Sequence, residues 1–248
     1  MPAMLRAIIF DLGGTLMYER ENWHAVTARA DEALTMYLRE KGLELNLSSF
    51  PFEFRRKLNE YFAQREKDLH ETSYSFVLRA LLDEKGYNKI PDIVLRNGLD
   101  RLFAVTQTNW ALEPDALETL RKLEGDGYRI GLISNAGDDQ DVQQLTRNFK
   151  ITRFFDFIIT SAACGYRKPH RYIFELALSK WRFSAAETIM VGDNPDADMR
   201  GAQGAGIHGI WIQRGKSSSD GDQLPAGANA AVSTLADIPA VLDRIQIK

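Results

Sequence analysis

With 248 residues, 44% of them hydrophobic, the chain can bury a sizeable core as one large domain or two modest ones, and disorder is not expected. Its formal net charge of -3 at pH 7 offers no global attraction to polyanions, and no local basic patch argues for a nucleic acid or an acidic membrane surface as partner. A single cysteine, Cys164, permits neither an internal disulfide nor a thiolate metal cluster, which suits a reducing compartment and makes the cytoplasm the expected location.

The opening MPAMLRAIIFDLGG meets Asp11 after a short apolar run, unlike a signal peptide. No stretch reaches the roughly 18 apolar residues of a membrane helix, so a soluble protein is expected. Ala7 to Phe10 are continuously apolar and stopped by Gly13 and Gly14, the pattern of a central parallel strand. From Trp23 the period changes. Val26, Ala30, Ala33, Leu34, Tyr37 and Leu38 share one helical face before Lys41 and Gly42 close it. Phe54, Leu58, Tyr61 and Phe62 mark a second face, and Tyr74, Val77, Leu78, Leu81 and Leu82 a third that ends at Gly86. Val94, Leu95, Leu99, Leu102 and Phe103 give a fourth after Pro91. No strand-like run interrupts them, so residues 17–110 read as an all-helical unit inserted after the first strand, between segments 1–16 and 111–248.

Beyond Trp110 the pattern alternates, as in a doubly wound parallel α/β sheet. A helix over 114–124 stops near Gly125 and Gly127; the strand YRIGLIS, a helix over 138–148, the strand FDFIITS and a helix from Pro169 to about Lys180 follow. TIMVG and IHGIWI are two more strands, separated by a helix from Pro195 to Ala205, and a last helix covers Ile238 to Ile245. The polar, glycine-rich stretch from Arg214 to Asn229 between them reads as a mobile surface loop.

Ligands of open parallel sheets collect at the carboxyl ends of the strands, and here those ends carry the informative residues. The first strand ends on Asp11, the second on Ser134 and Asn135, and the fourth on Gly192 and Asp193, while Lys168 follows the third. Carboxylates, a hydroxyl and an ammonium converging on one sheet edge can hold a divalent cation through oxygen, as magnesium prefers, and offset the charge of a phosphate.

The motifs DLGGTL at 11–16, ISN at 133–135, RKP at 167–169 and VGDNPDADMRGAQGAG at 191–206 stand in the order of the four signatures of the haloacid dehalogenase superfamily. The chain resembles a hydrolase of that superfamily, phosphatase-like, with a Rossmann-like core and a helical cap after strand one. The resemblance implies Asp11 as the nucleophile of an aspartyl-phosphate and magnesium as cofactor, with ligands Asp11, the Gly13 carbonyl, Asp193 and Asp198, the last direct or through water. It further implies that Ser134 and Lys168 hold the phosphoryl oxygens of a small phosphorylated substrate, joined by backbone N–H groups near Gly14 and Asn135 and by Thr15. Asp196 fits the spacing less well.

One departure stands out. Phosphatases of this superfamily usually place a second aspartate two residues after the nucleophile, as general acid and base. Here that residue is Gly13, which supplies a carbonyl and a tight turn but no proton. Esters with good leaving groups are therefore expected to react best, and Glu19, Glu21 or His24 at the start of the cap are candidate surrogates. A dehalogenase, a phosphonate hydrolase using a cap lysine (Lys41, Lys57 or Lys67), or a degenerate protein that only binds phosphorylated ligands are the competing expectations. Cys164 reads as a small buried hydrophobe. His70, His170 and His208 lack metal-ligand spacing, GAQGAG is better suited to close helix packing than to a nucleotide loop, and Trp23, Trp110 and Trp211 read first as packing residues.

Overall fold

The structure, a computed structural model, describes residues 4–214 and 223–245. Its main sheet has six parallel strands in the order β5-β4-β1-β6-β7-β8: β1 (Ala7–Phe10), β4 (Arg129–Ser134), β5 (Ile158–Thr160), β6 (Thr188–Gly192), β7 (His208–Ile212) and β8 (Ala230–Val232). β1 lies at the centre with Phe10 in register with Leu132 of β4 and Val191 of β6. Its four residues are all buried, which accounts for an apolar run without alternation. The chain first builds outward through β4 and β5, then returns to the other side of β1 through β6. The crevice at that reversal lies directly beyond Phe10.

Each face of the sheet has its own apolar layer. Ile8 and Phe10 pack with Leu120 and Leu123 of α5 (Ala116–Gly125), Val142 and Leu145 of α6 (Asp139–Asn148), and Ile238 and Leu242 of α10 (Ile238–Leu242). Ile9 points the other way, among Ile173, Phe174 and Ala177 of α8 (Arg171–Leu178) and Ala202 of α9 (Gly201–Gly204). A four-residue helix, α7 (Ser161–Cys164), follows β5.

Four helices intervene between β1 and α5: α1 (Trp23–Glu40), α2 (Phe50–Asp68), α3 (Tyr74–Glu84) and α4 (Asp92–Gln107). The side chain of Asn22 caps α1 by accepting from the His24 N–H, and Ser73 caps α3 by accepting from Phe76. Their apolar faces enclose a separate core of Leu34, Leu38, Phe54, Leu58, Leu78 and Leu99 among others. α1 and α4 approach so closely that a Cβ on Gly98 would lie 2.9 Å from Leu34 Cδ1. The helical faces expected from sequence are the ones that pack.

Several boundaries differ from expectation. An antiparallel pair, β2 (Met17–Glu19) with β3 (Trp110–Leu112), links the helical unit to the sheet; three-residue strands give too short a period to register. β8 is equally short. Helix α5 begins at Ala116 instead of 114, α8 spans only Arg171–Leu178, β5 shrinks to Ile158–Thr160, and α10 ends at Leu242. The expected helix 195–205 opens instead as a π-helical turn, Pro195–Arg200, before α9. Pro195 has no N–H to give, and the Asn194 side chain accepts from the N–H groups of Asp196 and Ala197. Of the loop 214–229, residues 215–222 lie outside the described residues.

Candidate active site

Asp11 follows β1, and its N–H donates to Val191 O at 2.9 Å, continuing the ladder one residue beyond the strand. Lys168 lies beneath it, buried, with Nζ donating to Asp11 Oδ1 at 2.6 Å, Asp198 Oδ1 at 2.6 Å and Ile133 O at 3.2 Å. The loop that delivers Lys168 is clamped by Asn135. The Asn135 carboxamide accepts from the Lys168 N–H at 2.7 Å and donates to the Lys168 carbonyl at 2.9 Å. The Asn135 side chain thus positions the lysine.

Carboxylate oxygens of Asp11, Asp193 and Asp198 all lie within 4.8 Å of one another. Asp198 is buried and also accepts from the Asn194 N–H at 3.0 Å, whereas Asp193 stands exposed at the cleft. Two glycines make this crowding possible. A Cβ on Gly14, whose φ is +78°, would overlap the Asp193 carboxylate, and one on Gly192 would overlap that of Asp198.

The electrostatics show an unmet demand for positive charge. Asp193, though exposed at the residue level, has its carboxylate partly desolvated by the cleft wall, and this, reinforced by Asp11, pushes it up to about 6. Burial likewise raises Asp198, against the pull of Lys168 and with Asp11 adding to the rise. Burial works against the Lys168 ammonium, but Asp11 and Asp198 outweigh it and hold its pKa above the ordinary lysine value. Three carboxylates thus face one ammonium, an oxygen-only donor set of the kind a hard divalent cation takes.

The other expected residues divide. Ser134 and Gly13 line the cleft above Asp11, while Gly14 and Thr15 are absent from its wall. Thr15 is fully buried, its carbonyl accepting from Arg214 at 2.6 Å. Of the three surrogate acids, only Glu19 lines the cleft. Glu21 pairs with Arg29 at 3.1 Å, and His24 lines a second, smaller pocket. Lys168 is the only lysine among the described residues lining the cleft. Lys57 pairs instead with Glu84, and Lys41 lies over the Tyr37 ring.

The cleft has a volume of about 650 Å³ and runs between the sheet edge and the helical unit. Trp23 and Trp110, read first as packing residues, both line it and meet edge to face with centroids 5.4 Å apart. Trp110 Cη2 lies 3.0 Å from the point a Cβ on Gly13 would occupy. Sequence reasoning also missed Arg65 and Arg167, which enter the cleft from α2 and from the residue before Lys168. Cys164 is half-buried, its thiol donating to Tyr166 O at 3.2 Å.

An open parallel sheet with three carboxylates and a buried lysine at its switch point places the chain among α/β proteins that gather ligands beyond their strand ends. The family model for haloacid dehalogenase-like hydrolases matches residues 5–206, and the chain belongs to that family. Among curated proteins it is 30% identical over 131 residues to glyceraldehyde 3-phosphate phosphatase of Pyrococcus furiosus, covering 53% of this chain and 54% of that protein. The match thus spans about half the length of that relative. It is 29% identical over 243 residues to ribulose-1,5-bisphosphate 5-phosphatase of Halopiger xanaduensis, covering 94% of each. Among solved structures, a 2-haloacid dehalogenase of Pseudomonas syringae pv. Tomato DC3000 superposes with a TM-score of 0.68 at 25% identity, over 97% of this chain and 99% of that one. Among the described residues no helix is long and apolar enough to cross a membrane.

Proposed function

We propose that the protein is a magnesium-dependent hydrolase of small phosphomonoesters, with residues 17–110 as a cap over a core formed by 1–16 and 111–248. The observation that carries this reading is the convergence of Asp11, Asp193 and Asp198 within 4.8 Å around a buried Lys168. Magnesium, when bound, would offset the repulsion between Asp11 and a phosphoryl group. Asp193 is the open carboxylate for holding it, with Asp11 and Asp198 alongside and the Gly13 carbonyl as a further oxygen.

The chain's own groups supply the rest. Asp11 attacks phosphorus, the ester oxygen leaves, and the resulting aspartyl-phosphate is hydrolysed by water with return of the Asp11 carboxylate. Lys168 keeps Asp11 oriented and offers charge to the phosphoryl oxygens, and the Ser134 hydroxyl offers them a hydrogen bond. Trp23 and Trp110 narrow the cleft and limit water. The named activities of the two curated relatives, both phosphatases, support this reading.

A dehalogenase is the second reading, favoured by the superposition with the Pseudomonas syringae enzyme and by the missing acid at Gly13. Three crowded carboxylates are a burden in a metal-free site that attracts anions, which favours the phosphatase. The test is release of phosphate from 4-nitrophenyl phosphate with and without magnesium, alongside halide release from 2-chloropropanoate. Phosphate release that needs magnesium and is lost in Asp11→Asn is expected. Metal-independent halide release with no phosphate release would reverse the assignment.

A further inference from the structure

The cleft's second charged feature is a pair of guanidinium groups with too few partners. Arg65, near the end of α2, stacks over the Phe62 ring at 3.7 Å and directs Nη1 to Glu71 Oε1 at 2.6 Å. Glu71 is fixed in turn by Ser161, whose hydroxyl donates to its other oxygen at 2.7 Å. Arg167 comes from the opposite wall. Its N–H donates to Leu69 O at 3.0 Å, and the Glu71 N–H donates to Gly165 O at 3.0 Å, so a short backbone link holds the two arginines in register.

Two buried donors of this pair, Arg65 Nε and Arg167 Nη1, make no hydrogen bond. Glu66 Oε1 lies 3.9 Å from the first, too far for a hydrogen bond, and 2.9 Å from the second, where it forms an ion pair. Burial and the neighbouring Arg65 hold the Arg167 pKa below its ordinary value, so the carboxylates present do not fully compensate the pair. The Glu66 side chain is 63% exposed, so exchanging its ion pair with Arg167 for a ligand anion costs little. A carboxylate oxygen therefore already marks the place where an anion fits between the two guanidinium groups.

Resting on the phosphomonoesterase reading, we propose that Arg65 and Arg167 form an anion subsite of the cleft and that the preferred substrates carry a second anionic group, a carboxylate or a further phosphate. Glu66 is its place-holder in the free protein. The cavity has room for such a substrate, since about 650 Å³ exceeds what a phosphoryl group alone requires. Guanidinium groups suit either oxyanion, through charge-assisted hydrogen bonds.

The test uses the magnesium-loaded full chain and three aryl phosphates with similar leaving groups: 4-methylphenyl, 4-(carboxymethyl)phenyl and 4-(phosphonomethyl)phenyl phosphate. The two with a second anion are expected to show kcat/KM at least about tenfold higher than the neutral ester, expressed in KM, as hydrogen bonds to charged groups give. Whichever of the two gains more identifies the anion. Arg65→Gln is expected to bring the ratio to within about twofold of unity, and Glu66→Gln to raise it by about two- to fivefold. Equal kcat/KM for all three esters overturns the subsite, as does an unchanged ratio in an Arg65→Gln protein of normal melting temperature. Calorimetric binding of the same esters to Asp11→Asn reads the subsite without turnover: preferential binding of the anionic esters supports it even if no ester is hydrolysed, a result that would sink only the hydrolase reading, and equal affinities overturn it.

Discussion

Trp110 Cη2 lies 3.0 Å from where the first side-chain carbon of residue 13 would stand, so an indole occupies the approach that an acid at Gly13 needs. The glycine and the tryptophan are matched, and replacing one alone sets them in competition. Gly13→Asp is expected to destabilise by about 1–3 kcal/mol, the usual cost of overpacking, without raising turnover. In the double variant Gly13→Asp/Trp110→Ala the carboxylate has room, and turnover of an alkyl phosphate is expected to exceed that of Trp110→Ala by about tenfold or more. Melting temperatures and kcat for the three variants check this; a large gain from Gly13→Asp alone would show that the indole yields freely.

Without a proton donor at residue 13, the departing oxygen must carry its own negative charge. Turnover of a series of phosphate esters is expected to rise steeply as the leaving-group pKa falls, with aryl and acyl phosphates ahead of alkyl esters by about 10²- to 10⁴-fold, the usual worth of a positioned acid. Glu19 is the surrogate that lines the cleft, so Glu19→Gln is expected to slow alkyl esters more than aryl ones. A rate independent of leaving-group pKa in the native chain speaks against both statements.

Gly192 and Gly14 exist to let carboxylates approach backbone. Gly192→Ala drives a methyl group into the Asp198 carboxylate, and Gly14→Ala drives one into that of Asp193 at a φ of +78°. Both variants are expected to lose magnesium binding and at least about 10²-fold in kcat, the scale on which misplaced groups cost activity. Gly127 has a comparable φ of +89° with open space around it, so Gly127→Ala is the control that carries backbone strain without a carboxylate clash. Calorimetric magnesium titration of the three proteins distinguishes the two effects.

The sheet and its catalytic edge were legible in sequence because buried parallel strands write uninterrupted apolar runs and their last residues bear the chemistry. Asp11, Lys168 and Asp193 were found that way, Asp198 came from the family resemblance, and the four are together in the structure. The clamp of the Asn135 side chain on the Lys168 backbone was not legible, since it depends on a loop whose path no local pattern encodes. Arg65 and Arg167 were invisible for a related reason. They are about a hundred residues apart, and the pairing of His70 with Tyr166 brings their segments together. Trp110 carried a partial signal, standing where the helical unit returns to the sheet, but nothing in sequence says that its ring reaches Gly13.

Magnesium binding is expected to depend on pH in a definite direction. Burial and the nearby Asp11 push Asp193 from its ordinary 3.8 up to about 6, and Asp198 is raised as well. The metal-free folded protein therefore holds these protons more tightly than the unfolded chain. The stability they contribute is present below about pH 4 and is lost as pH rises through 6, when like charges face one another. Magnesium takes the deprotonated carboxylates, so its affinity should climb through this range, by up to about tenfold per pH unit for each proton displaced, and level off above it. In calorimetry at pH 6, the apparent binding enthalpy should vary with the ionisation enthalpy of the buffer, reporting released protons, and at pH 8.5 it should not. The rise in melting temperature on adding magnesium should accordingly be larger at pH 8 than at pH 5. A metal affinity that stays constant from pH 5 to 8 would mean that Asp193 and Asp198 do not hold the ion.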